Sequence, residues 1–297
     1  MVDLGAVEMR KFEIKMNESE KHERQKVRGK VSIVKYEENR GLGRAWFESW
    51  TPESDTERAL ILEDDIEVSP YFYLYLKKAW DTYGTQQADG IRNEEASVVP
   101  DLAGISLQRQ TLIPTDLIPK NRHITASKNH DPYLFRLVGS IGFSPNAKYW
   151  REFAPWARSL DVQKVNVGME NLITTKWWSG YKKNSMWTPY FPFFCSGKAG
   201  LEGTTLYDND HPRKKNGPDN KPLFTLFADV PHDKTMASHM RAAGEHRTHD
   251  GGRDFDLALK KEEISWKFPK AKELKRFGWD GQLQEDVDDR VYEVLSD

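Results

Sequence analysis

A chain of 297 residues that is 38% hydrophobic, with ten Trp, eleven Tyr and fourteen Phe, can bury one large core or two small ones, and this excludes a disordered polypeptide. Forty-four basic residues against forty-six acidic ones leave a formal charge of -2, so no global field gathers nucleic acid and no nucleic-acid partner is expected. The single cysteine, Cys195, excludes an internal disulfide and a Cys-rich zinc site, and no apolar run approaches the roughly 18 residues that span a bilayer; the chain as given is expected to be soluble.

In chain order, KFEIKM and the charge-dense NESEKHERQKVRGK predict a strand and then a polar helix or loop. KVSIVKY, residues 30–36, alternates as a half-buried strand does. RGLGRAW follows as a glycine turn, and Ala45, Trp46, Ser49 and Trp50 at helical spacing predict a helix that closes at Thr51 and Pro52. The turn lacks the third glycine of a dinucleotide fingerprint and the Gly-Lys-Ser/Thr of a P-loop. Its expected use is close packing of the helix, with Gly41 as the position at which a donor phosphate would meet it.

The stretch ALILEDDIEVSPYF, residues 59–72, sets the chemistry. Ala59 to Leu62 read as a buried strand that delivers Glu63, Asp64 and Asp65 at its C-terminal end, the edge where open α/β sheets bind ligands. Three adjacent carboxylates repel one another unless a hard divalent cation or a hydrogen-bonding ligand shares their site. A strand ending in solvent with exposed acids is the plain alternative. Ser69 and Pro70 then predict the start of a helix over YFYLYLKKAWDTYG.

Residues 85–100 read as a surface loop, and DLAGISLQRQ as a short buried strand whose polar end, Gln108 and Arg109, is expected to line the same cleft. Residues 111–132 read as a long loop carrying His123 and His130. In YLFRLVGSIGFSPNAKYWREFAPWA, Gly139 and Gly142 interrupt an apolar strand, a sign of backbone that something approaches closely, and Ser144-Pro145 is expected to open a helix. VGMENLITTKWW sets Glu170 near a helix start in apolar company, either as a base with a raised pKa or as a cap on the helix dipole.

MWTPYFPFFC, with Trp187, is either core or a flat aromatic platform on which a sugar ring stacks. LEGTTLY predicts a strand and residues 208–221 a loop. Residues 230–252 hold His232, His239, His246 and His249, with no pair at the His-Glu-x-x-His spacing, so one histidine completing a carboxylate-bound cation is the better reading. Residues 263–297 are charged with scattered Trp and Phe and are expected to form a peripheral segment.

ILEDDIEVSPYF resembles the acidic motif of nucleotide-sugar glycosyltransferases of the GT-A fold, especially the Glu-Asp-Asp version of N-acetylglucosaminyltransferase I. NRGLGRAWFESWTPESD, AGISLQRQ, LFRLVGSIGFSPNAKYWREF, MENLITTKWW, MWTPYFPFF and ASHMRAAGEH keep the order found in a plant and protist group of glycosyltransferase-like proteins, over residues 28 to 260. The resemblance implies a mixed, Rossmann-like α/β sheet flanked by helices, with residues 1–262 as one catalytic domain and an insert near 208–234. It implies Mn²⁺ or Mg²⁺ held by Asp65 and His239, and a nucleoside diphosphate donor, a UDP-sugar above all, held by Glu63, Asp64, Arg241 and Gly41. It further implies Glu170 as the base that deprotonates a glycan or other hydroxyl acceptor with inversion. Gln108, Arg109, Gly139 and Trp187 are the expected acceptor or sugar contacts. The first strand and helix of such a domain have no counterpart ahead of KVSIVKY, so an N-terminally incomplete domain is expected, with a Golgi location and a membrane anchor if one lies upstream. A carbohydrate-binding or scaffold protein without turnover is the alternative.

Overall fold

The computed structural model describes residues 36, 41–84, 97–109, 131–160, 187–196, 222–228, 230–231, 233–239, 255–278 and 281–284. The chain divides into two compact units, Met1–Asn39 and Arg40–Asp297, and all the elements named below lie in the second. Glu170, Arg241, His123, His130, His232, His246 and His249, the strand expected over LEGTTLY and the 208–221 loop lie outside the described residues.

The second unit is mixed α/β. Its main sheet has the order β4-β2-β5-β3-β9, built from Leu102–Ser106 (β2), Tyr133–Phe135 (β3), Phe143–Pro145 (β4), Phe224–Phe227 (β5) and Arg276–Phe277 (β9). The β2/β5 and β3/β9 pairs are parallel, and the β2/β4 and β3/β5 pairs antiparallel. Two small ribbons accompany it: β1 (Ile66–Val68) antiparallel to β7 (Ala237–His239), and β6 (Lys234–Thr235) parallel to β8 (Asp256–Leu257).

Alternation along β3 sends Tyr133 and Phe135 to one core cluster and Leu134 to the other, so the sheet is buried on both faces. On β2 a register shift between Leu102 and Gly104 re-phases this alternation, and Leu102 and Ile105 both face the second cluster. The first cluster is aromatic and lies under α1 (Gly41–Glu48), α3 (Ala147–Ser159) and α4 (Tyr190–Cys195). The second lies under α2 (Phe72–Tyr83) and the C-terminal residues Ile264, Ala271 and Leu274. α2 follows from the spacing of Tyr75, Leu76, Ala79, Trp80 and Tyr83, all buried on one stripe.

Several expectations shift. The apolar run before the acids makes only a single antiparallel bridge, Ile61 to Phe143, with N···O distances of 2.8 and 3.2 Å, and Leu62 is exposed. The regular strand β1 comes after the acids, because the chain turns at Glu63 and then pairs with β7. The glycines of RGLGRAW lie inside α1, whose first residue, Gly41, takes φ +70°, a conformation that a residue with a Cβ resists. Ser144 and Pro145 end β4, and it is Asn146 that caps α3, its side chain accepting from Lys148 N at 3.1 Å. Ser69 accepts from Tyr71 N at 3.2 Å and donates to Ala258 O at 2.6 Å, so it fixes the turn that leads into α2 rather than capping the first helical turn.

The described part of residues 263–297 is not peripheral. β9 extends the main sheet, and Arg276, 3% exposed, bonds both carboxylate oxygens of Asp101 while lying 5.1 Å above the Phe224 ring. Trp266 and Phe268, partly buried, pack against Tyr75, whereas Leu283 is exposed. Among the described residues no helix is long and apolar enough to cross a membrane.

Candidate functional site

The three acids occupy a tight turn closed by Ile66 N donating to Glu63 O at 3.2 Å. The turn separates them. Asp64 faces solvent, Asp65 is 4% exposed, and Glu63 is half-buried with Oε1 accepting from the indole N–H of Trp46 at 2.9 Å. Mutual repulsion is relieved by divergence, in contrast to the shared site expected from their adjacency.

Asp65 meets His239 across the β1/β7 ribbon. The register pairs Ile66 with His239, which brings the imidazole to the end of the turn, and His239 Nδ1 lies 3.3 Å from Asp65 Oδ2. The other carboxylate oxygen, Oδ1, is buried and has no hydrogen-bond partner. An acceptor withdrawn from water without a donor costs about 1–3 kcal/mol, more when it carries charge. A cation is one group that would offset that cost, since a carboxylate oxygen and an imidazole nitrogen are both ordinary metal donors. Among the described residues, no group of three or more His, Cys, Asp or Glu side chains comes together in a metal-holding arrangement, so these two would need ligands from elsewhere.

The polar end of β2 borders this ribbon. Gln108 forms a parallel bridge with Ala237, two residues before His239, and its Oε1 accepts from Ile141 N at 3.3 Å. Arg109 is bonded within the fold. Its guanidinium donates to Val230 O and Pro231 O, both at 2.5 Å, and its backbone N–H donates to Thr235 Oγ1 at 3.2 Å. These bonds tie Arg109 to β6 and to the residues that precede it, ahead of the strand that carries His239.

Gly139 does mark a close approach, but by the chain itself. A Cβ there would lie 2.2 Å from Ser106 Oγ and 2.9 Å from Gln108 Oε1. Gly142, at φ +72°, would set its Cβ 3.1 Å from that of Ala237, so the β3–β4 connection presses on the ribbon too. Trp187 is 1% exposed, stacked on Trp46 at 4.1 Å between ring centroids and surrounded by Phe143 and Trp150. It has no face open to a sugar and belongs to the aromatic core. Gly41 is exposed at the start of α1.

Of the residues expected at the site, Asp65 and His239 lie side by side and Gln108 bridges to the strand that carries His239, while sequence reasoning misses Trp46. Seventeen residues separate Trp46 from Glu63, and no local pattern joins an indole on a helix to an acid in a later turn. Comparison of the chain with protein-family models, with curated proteins and with solved structures finds no match.

Proposed function

We propose that the chain is a metal-dependent glycosyltransferase of the GT-A type, moving a hexosyl or N-acetylhexosaminyl group from a nucleoside diphosphate, a UDP-sugar above all, to a hydroxyl acceptor. Asp65 carries this reading: a buried carboxylate with one unpartnered oxygen stands beside a histidine 174 residues further along the chain. Asp65 and His239 would hold Mn²⁺ or Mg²⁺, and such a cation, when bound, supplies Lewis acidity toward the negative charge of the departing diphosphate.

The rest falls to side chains. Asp64, exposed on the same turn, would meet the donor's ribose, and Arg241 would meet the diphosphate. Glu170 takes the proton of the acceptor hydroxyl as that oxygen attacks the anomeric carbon from the face opposite the departing diphosphate, inverting the centre. A base within hydrogen-bond reach is worth about 10²- to 10⁴-fold in rate.

The test is Mn²⁺-dependent binding and hydrolysis across a panel of UDP-sugars, followed in wild type, Asp65→Asn and Glu170→Gln. Asp65→Asn is expected to abolish the metal dependence, and Glu170→Gln to leave donor binding while transfer falls by about 10²-fold or more. Glycan binding that survives both Asp65→Ala and chelation, with no turnover of any donor, would establish the non-catalytic alternative instead.

A further inference from the structure

Glu63, the first acid of the turn, does not sit with Asp65. Its Oε1 accepts the Trp46 indole N–H at 2.9 Å, while its backbone carbonyl accepts Ile66 N and so closes the turn on which Asp65 lies. Trp46 is itself immobilised: 2% exposed, it stacks on Trp187 at 4.1 Å and 23°, inside the cluster that binds α1 to α3 through the Phe47 and Phe153 rings 5.6 Å apart. Among the described residues the turn is therefore held by its first acid to the aromatic core and by its third acid to His239 on β7.

We infer that Trp46 is a positioning residue, acting through Glu63, that sets where Asp65 stands relative to His239. Glu63 is then an anchor of the turn and not a ligand of donor or cation, and its share in that anchor is the acceptor oxygen that takes the Trp46 N–H. This inference rests on the proposed cation site, yet its geometric half can be read without any metal.

The experiment uses the full chain. Mn²⁺ alone is titrated and free ion is followed by its electron paramagnetic resonance signal, while the imidazole ¹⁵N resonances of His239 are recorded without metal. Trp46→Phe keeps a stacking ring and removes the N–H; Glu63→Gln keeps the acceptor and removes the charge; Glu63→Ala removes both. Glu63→Gln is expected to stay within about threefold of wild type in Mn²⁺ affinity. Trp46→Phe and Glu63→Ala should each weaken it by about 10- to 100-fold, the range for loss of a group that orients a metal ligand. The double variant should be no weaker than either single one, because both changes break the same bond. The same two substitutions should move the His239 resonances, and Glu63→Gln should restore them.

A Glu63→Gln variant as damaged as Glu63→Ala would overturn the inference, by showing that the charge itself is used. So would a Trp46→Phe variant indistinguishable from wild type in both readouts. If wild type takes up no Mn²⁺ at all, the cation reading falls, and the His239 resonances alone decide whether Trp46 and Glu63 place the turn. Should Trp46→Phe fail to fold, the contrast between Glu63→Gln and Glu63→Ala still decides the matter.

Discussion

At the scale of single residues, the ribbon that carries His239 is kept in place by atoms with no room to spare. Gly139 is the sharpest case, because a methyl group there would fall 2.2 Å from the hydroxyl of fully buried Ser106. Gly139→Ala is expected to cost about 1–3 kcal/mol through overpacking. Part of that loss should be recovered in the double variant with Ser106→Ala, which removes the nearest clash and leaves Gln108 Oε1 and Gln108 Cβ at 2.9 and 3.1 Å. Urea titration of the single and double variants measures this coupling, and a Gly139→Ala protein as stable as wild type would show that the strand end is loose. Legibility at this scale is uneven. An interrupted apolar strand flags Gly139 as a point of close approach, but only the fold tells that the intruder is the chain's own Ser106. Asp65 and His239 are legible as residue types, whereas the Trp46 to Glu63 bond joins groups that share no periodicity.

At the scale of elements, the caps and bridges decide where a helix or strand begins. Asn146 both accepts from Lys148 N and donates from Nδ2 to Leu102 O at 3.0 Å, so it starts α3 and satisfies the entry of β2 together. Removing it strips a helix cap and leaves a buried carbonyl short of a donor. Asn146→Ala is thus expected to lower stability by about 2–3 kcal/mol with an unchanged urea m-value. Asn146→Asp should do no better, because a carboxylate keeps the cap but turns an acceptor toward the Leu102 carbonyl. The buried stripes of α2 and the fully buried β2 are written in the local pattern. β1 is misplaced by the same pattern, because an apolar run of strand length can be buried through one bridge, and the choice of partner strand lies far along the chain. β9 has only two residues in charged surroundings, too short for any period to show.

At the scale of the molecule, the α/β class follows from alternating strand and helix signals, but the strand order does not. Two parallel and two antiparallel neighbours in one sheet are set by packing on its two faces. Burial on those faces has a titratable signature. Burial pushes the hydroxyls of Tyr83 and Tyr149 well above their ordinary 10.0 and the Cys195 thiol well above 9.0. Tyr83 donates to Pro269 O at 2.7 Å and Tyr149 to Pro100 O at 2.9 Å, bonds that need the proton. Below about pH 8 these groups are protonated in both folded and unfolded chains and do not affect the pH dependence. Above it the unfolded chain releases protons that the native state keeps, so stability falls as pH rises, by about 1.4 kcal/mol per pH unit for each group fully separated in this way. The urea midpoint should be insensitive to these groups up to about pH 8, decline first through the Cys195 thiol near pH 9 and more steeply beyond pH 10, where Tyr83→Phe should be shallower. An equally steep decline in that variant would assign the alkaline limb to other groups.

The span between Asp65 and His239 also carries a kinetic meaning. During synthesis the acid turn leaves the ribosome 174 residues ahead of the histidine it faces, and Ser69, at the far end of β1, waits 189 residues for the Ala258 carbonyl. At the usual elongation rate of about 5–20 residues per second, that separation amounts to roughly 10 to 35 s. For all that time β1 lacks the strand it pairs with, and of the two tethers on the turn only the one to Trp46 on α1 can form. Trp46 gains its own stacking partner, Trp187, 52 residues ahead of His239, so the anchor on α1 can be packed before the distant histidine arrives.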